Sequence, residues 1–213
     1  NLRNAARNGL KYGAEGYLIT DWGDHGHHQY LPFSYPGFLI GACQSWNSTG
    51  SSRLDLVEGL NSTFLKSAAD TSADLLVELG KVSDIAPSSL RNATIFNQLL
   101  FWDMAKEPES TQSIPNKQLK QCELVLTDIR SQVKQRVGDD RLFRGELLNA
   151  TDMAMHGIHR LQVFRDKRIP RKRLRKDLVK VMGRHKNLWL QRNRAGGLEE
   201  SMSHLQRSLH MIN

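Results

Sequence analysis

The chain has 213 residues, with 30 Lys or Arg against 22 Asp or Glu, and a formal net charge of +8. That length suits one large domain or two small ones with a sizeable core. No apolar run approaches the roughly 20 residues that span a bilayer, so no membrane segment is predicted. Cys43 and Cys122 are too few for a disulfide framework and lack metal-like spacing, and we expect both to be small buried side chains.

The positive charge is concentrated in one segment. Residues 165–194 hold 13 Lys or Arg against two acidic residues, a net of +11, whereas the other residues hold 17 against 20, a net of −3. In this segment apolar residues and His185 recur at helical spacing, and cations fill the remaining positions. We expect a solvated helix face, with contact to an acidic partner surface as an alternative. Because the stripe lacks interleaved aromatic residues and a known binding motif, no nucleic-acid partner is predicted.

The first 47 residues predict a helix, a strand and a second helix. Residues 2–12 form the first helix, which Gly13 ends. Residues 16–20 are a non-alternating apolar run, which predicts a strand buried on both faces. Residues 34–46 form the second helix, with five side chains expected to point inward: Tyr35, Phe38, Leu39, Ala42 and Trp46. This order is one increment of a (β/α) barrel, of which a whole example needs eight strands and about 250 residues.

A loop of small residues at 47–52 is the best candidate domain boundary. Beyond it, apolar residues three and four positions apart mark helices packed on one core. Residues 107–115 read as a polar loop. The predicted fold is mainly α: a strand–helix unit of a barrel in residues 1–47 and a helical domain in residues 53–213. We expect no strand after residue 53 and burial of Leu126, Ile129, Leu178, Trp189, Leu205 and Leu209.

A polar and aromatic cluster, TDWGDHGHHQ, occupies residues 20–29, between the predicted strand and the second helix. The carboxyl ends of strands are where α/β folds bind ligands. An indole, two carboxylates and three imidazoles are costly to bury but suit a polar ligand with an apolar face, such as a sugar. Alternatively, Trp22 fills a barrel core and Asp24 caps the next helix. Asp21 suits a structural role equally well.

The imidazoles of His25, His27 and His28 also suggest a metal site. A metal requires convergent ligands, however, and neighbouring side chains point apart if the loop is extended. We therefore predict no metal and no cofactor. Ordinary loop contacts are expected for these histidines, with sugar contact by His27 as the functional alternative.

Two stretches carry a family resemblance. The first is GAEGYLITDWGD (residues 13–24), followed by Gly26-His27, Gln29, Leu31-Pro32, Ser34-Tyr35, Gly41-Ala42 and Ser45-Trp46. It resembles the end of the catalytic barrel in glycoside hydrolase family 20, the β-N-acetylhexosaminidases. The second is LWL, RNR and GGL within residues 188–198. It resembles a segment near the C-terminus of bacterial members that carry a helical extension. Between the stretches only spacing and helical character agree.

The resemblance implies roles for individual residues. Trp22 matches an indole in the wall around the sugar at the cleavage point. Asp24 matches an acidic residue, Glu in many members, that accepts hydrogen bonds from sugar hydroxyls. His27 is a third candidate for sugar contact. Relatives often carry an apolar or aromatic residue where this chain has His28, so the family assigns that residue no role. The second stretch implies that the helical region leans on the barrel rim near Trp189.

Family 20 hydrolysis uses an adjacent Asp-Glu pair on an earlier strand. The Glu is the general acid, and the Asp orients the substrate's own acetamido group, which attacks the anomeric carbon. This chain contains no Asp-Glu dipeptide and starts at Asn1. It therefore reads as the C-terminal part of a longer enzyme, inactive alone, whose expected partners are the rest of the barrel and a carbohydrate. A non-catalytic helical interaction module is the alternative.

Overall fold

The computed structural model describes residues 1–65, 72–87, 90, 92–138, 140–166 and 170–212. Short 3-10 turns lie at Leu31–Ser34 and Gly50–Arg53, and a π-helical turn lies at Asn61–Leu65. The α-helices of these residues are α1 (Leu2–Lys11), α2 (Tyr35–Trp46), α3 (Leu56–Leu60), α4 (Ser72–Ile85), α5 (Ile95–Phe101), α6 (Glu109–Gln112), α7 (Asn116–Arg136), α8 (Arg141–Asp166), α9 (Arg171–Arg192) and α10 (Leu198–His210).

The larger part of the structure, which we term the helical body, comprises the described residues from 72 to 212. Helix α8 is central and packs against α5, α7 and α9, while α4 packs on α7 and α10 packs on both α9 and α5. Each long helix turns one apolar stripe to this core. On α7 the buried stripe steps by three and four residues, through Leu119, Cys122, Leu126, Ile129 and Val133. Such spacing places all five side chains on one helical face.

The mainly α prediction is confirmed, and no strand occurs among the described residues after position 53. Burial was correctly predicted on α7, α9 and α10, for Leu126, Ile129, Leu178, Trp189 and Leu205. Leu209 is half-buried against the same core. The predicted loop at residues 107–115 contains one helical turn, α6.

Proline and glycine define the ends of the long C-terminal helices. Pro115 precedes α7 and Pro170 precedes α9, where a missing amide hydrogen costs no helical hydrogen bond. Gly197 precedes α10 with φ of +81°, a left-handed conformation that glycine adopts without steric cost. The chain can therefore reverse between α9 and α10 within the five residues 193–197.

A second, smaller core joins α2 to the body. Leu39 of α2, Leu60 of α3 and Ala73 of α4 are its buried members. The rings of Tyr35 and Phe64 stack beside it, with centroids 4.5 Å apart. The helices on either side of the predicted boundary loop at 47–52 thus share an apolar contact.

The predicted strand at residues 16–20 is wrong as a strand buried on both faces. Residues 16–23 belong to no helix and form no backbone–backbone hydrogen bond with other described residues; we term them the extended segment, because their side chains alternate between half-buried and exposed at positions 17–20. Leu18 is 84% exposed. A strand requires a neighbour that pairs its amide and carbonyl groups, and the described chain offers no other strand. Trp46 was also expected inside, but it lies at the end of α2 and is 93% exposed.

Candidate functional site

The extended segment before the polar cluster has two different faces. Tyr17 and Ile19 point toward the helices: the Tyr17 hydroxyl donates to the carbonyl of Leu2 at 3.0 Å, and Ile19 lies directly over Gly41 of α2. A Cβ atom at Gly41 would be only 2.2 Å from Cδ1 of Ile19. Leu18 and Trp22 are exposed instead. Alternation of this kind is what an extended backbone produces, because successive side chains point to opposite sides.

Trp22 lies at the carboxyl end of this segment, on the face away from the helices. Its ring is 73% exposed, and its Nε1 donates to Oγ1 of Thr20 at 3.1 Å. This bond holds the indole beside the segment while most of its surface remains open. The exposed ring offers the flat apolar surface that can stack on the C–H face of a sugar.

Asp21 is structural. Its Oδ1 accepts a hydrogen bond from Gln29 Nε2 at 2.8 Å, and its Oδ2 accepts one from Ser34 Oγ at 2.6 Å. Gln29 also donates to Ser34 Oγ at 3.1 Å. The three side chains join the extended segment to the start of α2 and so close the loop between them. The sequence left Asp21 open between two roles, and its occupied oxygens favour the structural one.

Residues 24–28, which we term the histidine turn, have an unusual backbone. His25, Gly26 and His27 have φ of +55°, +90° and +49°. Non-glycine residues rarely adopt such values unless the surrounding structure imposes them. Asp24 begins the turn, and its carboxylate is exposed with no hydrogen-bond or ion-pair partner in the described part of the chain. It is a free acceptor one residue beyond Gly23.

His27 contacts both Gly23 and the helical body. Its ring packs over Gly23, where a Cβ atom would be 2.1 Å from Nδ1. Its edge also meets Trp189 of α9, with ring centroids 6.2 Å apart and planes at 83°. Among the three predicted sugar-contact residues, Trp22 and Asp24 are therefore open to solvent together. His27 connects the turn to the helical body.

His28 is buried, and it leads into a hydrogen-bond network that the sequence did not reveal. Its Nε2 donates to the carbonyl oxygen of Ser201 at 2.9 Å. Its ring stacks on His185 of α9, with centroids 5.3 Å apart and planes at 28°. It also packs on Phe101, at 4.6 Å between centroids. The turn thus inserts one imidazole between three helices of the body, α5, α9 and α10.

The network continues through His185. Asn149 Nδ2 donates to the Tyr30 hydroxyl at 2.8 Å, and that hydroxyl donates to His185 Nδ1 at 3.0 Å. His185 Nε2 then donates to Ser201 Oγ at 2.8 Å. We assign this direction because the Asn149 amide already donates to the Tyr30 oxygen, which leaves the hydroxyl hydrogen for His185 Nδ1; neutral His185 then carries its proton on Nε2. All members are buried, so a complete set of hydrogen bonds is needed to offset their desolvation.

Burial shifts the ionisation of this network toward neutral forms. It lowers the pKa of His28 to about 4, even though the bond to the Ser201 carbonyl opposes the shift. It also lowers the pKa of His185 to about 4, with a further contribution from the neighbouring His28. The pKa of Tyr30 is raised, again by burial. At neutral pH the network holds two uncharged imidazoles.

Only parts of this network carried a sequence signal. His185 belongs to the buried stripe of α9, and a histidine in an apolar stripe indicates a polar group that needs a partner. Nothing in the sequence identified that partner, since Tyr30 and Ser201 are ordinary loop and helix residues. The sequence assigns His28 no role of its own, because relatives often carry an apolar or aromatic residue at its position.

The second family-like stretch closes the end of α9 and also touches the turn. Trp189 Nε1 donates to the carbonyl of Arg194 at 2.9 Å. Arg192 donates to both carboxylate oxygens of buried Glu146, at 2.9 and 2.6 Å. Because Trp189 also contacts His27, the two stretches meet in space although these two residues are 162 positions apart in sequence.

A shallow hollow lies elsewhere, between α6, the start of α7 and the end of α8. Its cation is Arg165, which is already occupied. Arg165 bonds Glu107, the carbonyls of Thr111 and Ile114, and Asn116 Oδ1. Because these acceptors occupy it, the guanidinium stabilises the loop at residues 107–115. The hollow therefore provides no free positive charge for a ligand.

Within the residues that the structure describes, no group of three or more His, Cys, Asp or Glu side chains is arranged to hold a metal ion. No described helix is long and apolar enough to cross a membrane. No family model, curated protein or solved structure matches the chain.

Proposed function

We propose that the chain is the C-terminal part of a glycoside hydrolase resembling family 20. The whole enzyme would remove terminal β-linked N-acetylhexosamine with retention, by attack of the substrate's own acetamido group. In this proposal residues 1–47 supply the end of a (β/α)8 barrel, with its last strand–helix unit, and a helical domain in residues 53–213 follows it. The observation that carries the proposal is the two-faced extended segment that ends at Trp22 and Asp24.

The segment has the arrangement expected of a barrel strand that lacks its neighbours. In a (β/α) barrel the helices cover the outer face of each strand, and the opposite side chains point to the interior. Here Tyr17 and Ile19 face α1 and α2. Leu18 and Trp22 face away from the helices and are exposed. Strands on either side would pair with the backbone groups of residues 15–23, which have no backbone partner among the described residues.

The chemistry at the end of the segment suits a sugar. The carboxyl ends of barrel strands form the face at which these enzymes bind substrate. There the exposed indole of Trp22 can stack on a pyranose ring, and the unpaired carboxylate of Asp24 can accept bonds from its hydroxyls. His27 also holds the turn against Trp189, and sugar contact by its ring stays a prediction.

The chain would supply a wall of the site but not its proton donor. The Asp-Glu pair that performs acid catalysis in the family is absent from the sequence. We expect no hexosaminidase turnover from this chain alone, because a general acid commonly raises the reaction rate by about 10²–10⁴-fold. Release of chromophore at an intact enzyme's rate would contradict the assignment of the catalytic pair to another part of the protein.

The proposal is tested on the full product of the gene that encodes this chain. Upstream sequence should contain an adjacent Asp-Glu pair at a strand end, and the product should cleave a chromogenic N-acetylglucosaminide. Trp22→Ala and Asp24→Ala should each lower kcat/KM by about 10- to 100-fold, with kcat affected as well as KM, if their contacts tighten as the sugar ring distorts. Wild-type kinetics in both variants would contradict a sugar-binding role.

Trp102→Phe provides the matched control. Trp102 is buried in the helical body, where its Nε1 donates to the carbonyl of Lys106 at 2.7 Å. The variant should lower stability and leave kcat/KM of the folded fraction near normal. A full product with neither turnover nor the upstream pair would favour the alternative, a non-catalytic helical interaction module in which the first 47 residues are incidental.

A further inference from the structure

His28 and His185 join the histidine turn to the C-terminal helices through a single residue. The carbonyl of Ser201 accepts from His28, and its hydroxyl accepts from His185. Both rings are buried and stacked. Gly26 lies against the same part of α10, where a Cβ atom would be 3.0 Å from Cα of Ser201 and 2.9 Å from the ring of His204. The turn is thus seated on α10 by two imidazoles and a close backbone contact.

The backbone conformation of the turn depends on these contacts. Three consecutive residues from His25 to His27 have positive φ, and two of them are not glycine. Such a backbone persists only where surrounding contacts impose it. Within the turn itself, the backbone bond from His27 N to the Asp24 carbonyl is long, at 3.4 Å. Contacts with α9 and α10 therefore determine where Asp24 and the preceding Trp22 stand.

The surroundings of the two rings favour their neutral forms. Neither ring donates a hydrogen bond to a carboxylate among the described residues. The titratable or charged groups that face the network are His27 of the turn, Tyr30 before α2, Glu146 of α8, Arg184 of α9 and His204 of α10. A carboxylate among them, Glu146, is already bonded twice by Arg192.

We propose that His28 and His185 are positioning residues that lock the histidine turn, with Trp22 and Asp24, onto α9 and α10 while both rings are neutral, and that protonation of the pair releases the turn. The statement that the released side chains bind sugar rests on the function proposed above. The lock itself does not, since it is defined by contacts within this chain.

Protonation opposes the lock in two ways. A second proton on His185 would occupy Nδ1, which now accepts the hydrogen bond of Tyr30. Two imidazolium rings with centroids 5.3 Å apart would also repel each other in a site screened from water. The locked rings have pKa values lowered by burial to about 4, whereas released rings would titrate near the ordinary value of about 6.5. The locked state is therefore fully favoured above about pH 6.5 and is lost as pH falls toward 4.

Nuclear magnetic resonance on this chain tests the lock directly, without a sugar or an assay. Cross-relaxation between Gly26 and Ser201 reports the seated turn, the ring signals of His28 and His185 report their protonation, and Ile129 of α7 reports the body. Between pH 7 and 4 the Gly26–Ser201 signal should disappear together with the titration of both rings. Because two protons are taken up in one step, the transition should be steeper than a one-proton titration.

Glutamine variants separate the lock from general acid sensitivity. His28→Gln keeps an amide donor for the Ser201 carbonyl, and His185→Gln keeps one for the Ser201 hydroxyl, but neither can be protonated. Each single variant should show a one-proton transition, and the double variant should retain the Gly26–Ser201 signal down to pH 4. His210→Gln, on an exposed histidine at the end of α10, should behave as wild type.

Three outcomes would overturn the proposal: release at the same pH in the double variant, persistence of the Gly26–Ser201 signal after both rings have titrated, or loss of the Ile129 signal in the same step. The last would show unfolding of the whole chain rather than release of the turn. If the double variant does not fold, the wild-type titration still tests the proposal through the second and third of these outcomes. Failure of the hexosaminidase assay would leave these outcomes unaffected, so the two proposals can fail separately.

Discussion

The helical body and the N-terminal unit, residues 1–46, differ in where they place their large apolar side chains. In the body the long helices turn them inward, and Leu126, Leu147 and Leu161 have no exposed surface. In the N-terminal unit Leu18, Trp22 and Trp46 are almost fully exposed. Isolated exposed apolar residues are common, but several on one small unit mark a surface that binds something. The body turns its large apolar side chains into its own core, whereas the N-terminal unit leaves several of them exposed.

The largest expected difference in stability is between a core position of the helical body and an exposed position of the N-terminal unit. Leu147→Ala should lower the free energy of unfolding by about 2–5 kcal/mol, because it opens a cavity in the main core beneath the first half of α8. The same change at exposed Leu18 should cost less than about 0.5 kcal/mol. Urea denaturation followed by circular dichroism measures both. Equal losses at the two positions would show that the N-terminal unit is packed as tightly as the body.

The next effect concerns the junction between the regions. Gly26→Ala should cost about 2–3 kcal/mol, since it adds backbone strain at φ of +90° to a clash with Ser201 and His204. Gly13 also has positive φ, at +71°, but no atom lies within 4 Å of its Cβ position. Gly13→Ala should therefore cost only about 1 kcal/mol, from strain alone. Denaturation midpoints that rank the two variants in reverse would contradict the close seating of the turn.

The next effect is a dependence of stability on pH that arises in the helical body and not at its junction with the N-terminal unit. His156 of α8 is buried, neither ring nitrogen has a hydrogen-bond partner among the described residues, and burial lowers its pKa to about 3. As pH falls below about 6.5, the unfolded chain takes up this proton first, so stability falls. From pH 7 to pH 5 the cost should be about 2 kcal/mol for this one ring.

His156→Leu removes that contribution. The variant should be as stable as wild type or more so at pH 7, because an unpaired polar group is replaced by an apolar one. At pH 5 its advantage should be larger by about 2 kcal/mol. Urea denaturation at the two pH values gives the comparison. An unchanged pH dependence would mean that His156 is paired in solution.

The smallest effect on stability is expected at the end of α2. Trp46→Ser should change the free energy of unfolding by less than about 0.5 kcal/mol, because its side chain is exposed. Exposed apolar side chains favour self-association at high protein concentration. The variant should nevertheless reduce such association, since it removes the most exposed large apolar group of the N-terminal unit. Sedimentation velocity over a range of concentrations measures this. Lower stability in the variant would place Trp46 in a contact that the structure does not contain.

The helical body could be predicted from the sequence because each of its helices carries its own signal. On α7 and α9 the three- and four-residue spacing of apolar side chains is local, and it identified buried Ile129 and Leu178 correctly. The strand at residues 16–20 failed for the opposite reason. A strand is completed by pairing with another segment, and composition alone cannot show whether that segment is present.

In the candidate site, too, the local features could be predicted from the sequence and the long-range contacts could not. The polar cluster identified the turn, and its exposed members Trp22 and Asp24 lie where a ligand can reach them. The contacts that hold the turn were not predictable, since His28 meets Ser201 across 173 residues and Tyr30 meets Asn149 across 119. Contacts at such separations depend on how the helices pack, and no local pattern encodes them.

The position of Ser201 also determines the order in which the chain can complete its structure. The residue that accepts from both His28 and His185 belongs to the last helix, α10. On the ribosome, where synthesis proceeds at about 5–20 residues per second, the turn emerges well before its acceptor. Helices α4 to α9 can pack on one another while the turn still lacks its contacts with α10. We therefore expect the turn to reach its native conformation only after α10 has formed, and a chain that ends before Leu198 never to form it.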